Sequence, residues 1–106
     1  MARPSRIQQP GAWYHVIARG IERREIFSRD RDREHFLELL GNMADWSREL
    51  ALYLMRENGQ SLRVAAAAVG IRRPATAGMA LQRFARQLVK DKNLRKAVGQ
   101  VKKLLA

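Results

Sequence analysis

Residues 62–80, LRVAAAAVGIRRPATAGMA, decide how this chain is read. Ser61, just ahead of them, is a good helix cap. Leu62, Ala65, Ala66 and Val69 then recur at helical spacing. Where two helices cross closely, the first needs a very small side chain, and Ala66 supplies one. Four residues later the corner needs a residue that tolerates positive φ, and Gly70 is there. Ile71 is apolar and suits the role of plugging the corner into a core. Pro74, with its fixed φ and missing N–H, suits the first position of a second helix. Met79 falls where that helix is expected to face inward. The pattern predicts a helix–turn–helix, although a plain helical hairpin tolerates the same residues and Thr76 stands where a branched aliphatic is more usual.

Further along the second helix, a spacing of about 100° per residue separates two sides. Ala77, Leu81, Phe84 and Leu88 fall on one, Arg83, Arg86 and Lys90 on the other. Arg72 and Arg73 sit just before the helix start, an end that attracts phosphate. In a helix–turn–helix this end enters the major groove. Arg72, Arg73 and Thr76 are therefore candidate groove or phosphate contacts. Arg63 and Arg83 are further candidates, and the more distant cations read as a solvated face that adds non-specific affinity.

The rest of this half is also helical by pattern. ADWSRELALYLMRENG runs from a possible Asp45 cap to Gly59, with Trp46, Leu50, Tyr53 and Leu54 on one face. NLRKAVGQVKKLLA closes the chain with Leu94, Val98, Val101 and Leu105 at 4-3-4 spacing.

Charge supports a polyanion partner. The net charge of +11 is concentrated in residues 51–106, where twelve Lys and Arg face only Glu57 and Asp91. Residues 1–50 hold nine Arg and eight acids. Such asymmetry favours nucleic acid over a merely solubilising surface or one that faces anionic lipid. There is no cysteine, so disulfides and thiolate metal sites are excluded. No apolar run approaches the length of a membrane span, and the N-terminus lacks the apolar core of a signal peptide, so no membrane partner and a cytoplasmic, nucleoid-associated location are expected.

Residues 1–41 form a different block, and the Gly41-Asn42 step is the candidate boundary. AWYHVIA has strand composition and partial alternation, which predicts a strand over 12–18. GIERRE reads as a polar turn. SRDRDREHFLELLG predicts a helix over 30–40, capped by Ser28 or Asp30, with Phe36, Leu37 and Leu40 as its apolar stripe and Gly41 as its stop. Asp30, Asp32, Glu34 and Glu38 alternate with Arg29, Arg31 and Arg33 and read as a solvated face. A lone strand leaves an edge that must pair or be covered. That edge is the rationale for a homodimer, for pairing with another protein, or for REIF folding back as a hairpin.

Two resemblances follow from these residues. RELALYLMRE, SLRVAAAAVG and GIRRPATAGMALQRFARQLVKDKNLRKAVGQVKKLL resemble the C-terminal DNA-binding domain of the bacterial replication initiator DnaA over residues 46–105. The resemblance implies a helix–turn–helix that reads duplex DNA. By position, Arg48 corresponds to an arginine that enters the minor groove, and Arg72 and Thr76 correspond to major-groove contacts. Arg73 and Pro74 stand where that family has an acid and a histidine, and Ala75 replaces its first threonine. The initiator's base preference is therefore not expected here.

MARPSRIQQPGAWYHVIARGIERREIFSRDRDREHFLELLG looks very much like the start of IS200-like single-tyrosine transposases, the group that includes the REP-associated transposases. Some of those also carry a DnaA-like helical segment. This second resemblance implies a remnant of a ferredoxin-like catalytic domain. The family's chemistry needs two histidines separated by one apolar residue, holding a divalent metal, and a nucleophilic tyrosine on a later helix. His15 and His35 do not form that pair. Tyr14 lies in the predicted strand, and Tyr53 lies on an apolar helix face, where a buried or half-buried ring is the expected role.

The expected protein is mainly α: a strand-plus-helix remnant over 1–41 and a helix–turn–helix domain over 43–106. Its expected function is to bind duplex DNA without catalysis, metal or cofactor. The alternative is an interaction module that regulates an intact transposase through its N-terminal strand.

Overall fold

A computed structural model of the chain describes residues 10–21, 27 and 29–105. Among these residues every regular element is helical: α1 (Pro10–Gly20), α2 (Asp30–Asn42), a 3-10 turn (Ala44–Trp46), α3 (Ser47–Glu57), α4 (Leu62–Ala68), α5 (Pro74–Lys90) and α6 (Lys92–Leu105). The mainly α expectation is met.

The strand expected over 12–18 is not there; these residues belong to α1. Val16, Ile17 and the aromatic pair gave the stretch its strand composition. Its buried residues, however, are Tyr14, Ile17 and Ala18, at i, i+3 and i+4, which is the helical template. As a helix the segment satisfies its backbone groups internally, where a lone strand could not. The exposed edge that motivated pairing with a second copy or a transposase goes with it. Ser28, GIERRE from Glu22 onward and most of REIF lie outside the described residues. α2 begins at Asp30 as expected but without a side-chain cap; Arg29 holds the cap position in extended geometry.

α3 is the central element. It packs against α1, α4 and α5, while α6 packs against α5 and α2. A face of Leu50 and Leu54 was legible from spacing. Ala51, Leu52 and Met55 are buried too, because α1 covers the other side of the helix. α1 comes close to α3 at Gly20, where a Cβ would lie 2.5 Å from Met55 Sδ. The end of α1 is capped from the loop after α3: Gln60 Nε2 donates to Gly20 O at 2.6 Å.

Around α3 the core runs without a break from Tyr14 and Ile17 through Phe36 and Leu40 to Phe84, Leu94 and Val101. Residues on both sides of Gly41 contribute to it. Tyr14, Phe27 and Phe36 form one aromatic cluster, with Arg33 over the Tyr14 ring at 5.4 Å. Trp46 of the 3-10 turn and Tyr53 of α3 pack on Phe84 of α5 at centroid distances of 5.7 and 5.6 Å. On α6, Leu94, Val98 and Val101 are buried as their spacing predicted.

Candidate nucleic-acid interface

The corner between α4 and α5 is built by three residues. Ser61 caps α4, its hydroxyl accepting from Val64 N at 3.2 Å. Gly70 takes φ +83°, a conformation that L side chains rarely adopt. The chain then turns so that Ile71 N donates to Ala66 O at 2.8 Å and the Ile71 side chain is buried. Ala65 and Ala66 are buried against this corner, where small side chains permit close packing. The Ser61 cap, the positive φ at Gly70, the burial of Ile71 and the helix start at Pro74 are observed as spacing assigned them, and Ala66 is buried. The role assigned to Met79 is not observed: Met79 is 66% exposed. Ala77, Ala80 and Phe84 line the buried side of α5, and residue 79 lies two positions from Ala77, about 200° around the helix.

Arg72, Arg73, Pro74, Ala75 and Thr76 are all exposed at the start of α5. Pro74 has no N–H, and Thr76 N donates to Arg73 O at 3.0 Å. Few backbone donors are therefore left to draw an anion to this end, and the two guanidiniums carry the attraction instead. Thr76 and Arg83 are seven residues apart. They share one side of α5 across two turns, a rise of about 10 Å, with Met79 between them.

Arg83, a candidate contact by sequence, is held by an acid on another helix. Its Nη2 donates to Glu49 Oε2 at 3.4 Å, and Arg48 Nη2 donates to the same oxygen at 3.5 Å. Arg48 stands in the first turn of α3 and Arg83 in the middle of α5, so Glu49 brings together two candidates 35 positions apart in the chain. Arg63 is exposed on α4, and among the described residues no hydrogen bond or ion pair links it to the other candidates. Sequence reading missed Glu49. The available signal was an acid in the first turn of a helix, directly followed by the run Leu, Ala, Leu, Tyr, Leu, Met.

The histidines and tyrosines have ordinary surroundings. His15 and His35 are exposed on separate helices. Tyr14 is buried in the aromatic cluster. Tyr53 is half-buried, and its hydroxyl accepts from Lys102 Nζ at 3.3 Å. The Tyr53 hydrogen bond and charge, reinforced by Glu57, hold Lys102 above the ordinary lysine value. No group of three or more His, Asp or Glu is gathered among the described residues. An open cleft of about 620 Å³ between the end of α2 and α6 is lined by Asp45, Trp46, Asp91 and Lys96 and by none of the six candidates. No described helix is long and apolar enough to cross a membrane. Comparison with protein-family models, with curated proteins and with solved structures found no match to this chain.

Proposed function

We propose that this chain binds duplex DNA through the α4–α5 corner, as a helix–turn–helix protein that carries out no catalysis. One observation carries the reading: Arg72, Arg73 and Thr76 are exposed together at the start of a 17-residue helix that Ala77, Ala80 and Phe84 fix in the core. A rigid cationic helix end is what a major groove and its flanking phosphates accept. The +11 net charge, concentrated in the same half, supports it. So does the resemblance to the replication initiator's DNA-binding domain over residues 46–105. The resemblance of residues 1–41 to REP-associated transposases supports descent from such an enzyme by internal loss. A nucleoid-associated location follows from the same reading.

Phosphate contacts supply most of the affinity on this view, and non-specific binding has a Kd of about 10⁻⁴–10⁻⁶ M at physiological salt. The test is titration of a short duplex at several salt concentrations, with single-stranded DNA and RNA as competitors. Log affinity is expected to fall linearly with log salt, and Arg72→Ala to reduce the slope by about one. Absence of binding at low salt, or a flat salt response, would sink the proposal.

A further inference from the structure

We propose that Glu49 is a positioning residue that clasps Arg48 and Arg83 so that both present their remaining N–H groups to one segment of nucleic-acid backbone. This inference rests on the duplex-binding reading above. The Glu49 side chain is only 7% exposed, whereas its two partners are 46% and 61% exposed. A carboxylate is not kept out of water without compensation, and here the compensation is two guanidiniums on one oxygen. Each guanidinium has five N–H donors in a rigid fork. Each directs one Nη2 group at Glu49, and among the described residues its other N–H groups have no partner and face solvent or an incoming oxyanion. The buried acid thus holds two flexible side chains in one place, which lowers the entropy lost when they bind a phosphate. It also ties the first turn of α3 to the side of α5 that carries Thr76.

Positioning and plain electrostatics predict opposite signs. Neutralising Glu49 raises the net charge by one, which by itself tightens binding to a polyanion. If Glu49 positions the arginines, its loss weakens binding in spite of the added charge.

The experiment is duplex titration across a salt series with the full chain and with Glu49→Met, Glu49→Gln and Arg83→Lys, each checked for helical content. Glu49→Met removes both acceptor oxygens at nearly constant volume. It is expected to weaken binding about tenfold and to flatten the salt slope by about one. Glu49→Gln keeps one acceptor and is expected to fall between the two. Arg83→Lys keeps the charge but loses the fork and is expected to weaken binding several-fold. Wild-type or tighter binding by the folded Glu49 variants, with the slope unchanged, overturns the proposal. Should the Glu49 variants not fold, full affinity of Arg83→Lys overturns it alone. If the parent chain itself does not bind duplex, the reading of the whole interface is lost; if the parent binds and the variants match it, only the clasp is lost.

Discussion

Gly70 and Gly99 show how differently one residue type acts within this chain. Gly70 holds φ +83° with no atom near its missing Cβ, so its role is conformational and not spatial. Gly70→Ala is expected to cost about 1–2 kcal/mol, the price of left-handed backbone in an L residue, read as a lowered midpoint in urea unfolding. Gly99 lies within α6, exposed, and nothing surrounds its missing Cβ. Gly99→Ala should add up to about 1 kcal/mol through helix propensity, and the same unfolding experiment should show the opposite shift. The need for Gly70 was legible from its place between two helix patterns. The burial of Glu49 was not, because spacing places a residue on a side of a helix without saying what covers that side.

At the scale of elements, α1 is the segment whose sequence misleads. Trp13, Tyr14, Val16 and Ile17 favour a strand by composition, yet Tyr14, Ile17 and Ala18 occupy helical positions and pack where α3 needs cover. Intrinsic strand preference spans only about 1 kcal/mol, so burial of a helical stripe against α2 and α3 overrides it. The contact between α6 and α3 has a pH signature. Lys102 donates to Tyr53 and lies 3.4 Å from Glu57, and its folded value is raised above the ordinary 10.5. A raised folded value means the contribution is fully present below the ordinary lysine value and is lost as pH rises through the folded one. Solvent screening at this exposed pair limits it to under about 1 kcal/mol. Lys102→Met should therefore melt slightly lower than the parent at neutral pH. The gap should close at pH above the lysine range; a gap that persists there would assign the effect to packing of the lysine stem.

For the whole molecule, the continuous core makes a prediction about cooperativity. Tyr14, Ile17, Phe36 and Leu40 lie in the same cluster as Phe84 and Val101, so residues before and after Gly41 should unfold together. Trp13 fluorescence in a Trp46→Phe variant and far-ultraviolet circular dichroism are expected to trace one coincident transition; two separated transitions would show that the blocks fold independently. What the sequence determined by itself was local: the helices after residue 46, the Ser61 cap, the Gly70 corner, the Pro74 start, and a cationic surface on one half. Each depends on neighbours within a few positions, where backbone sterics and side-chain periodicity suffice. The tertiary structure decided that residues 10–20 are a helix, that Met79 faces outward and that Glu49 is enclosed between two arginines. These depend on which surfaces meet across the fold, and burial against a distant segment outweighs the fraction of a kilocalorie by which a short stretch favours one conformation over another.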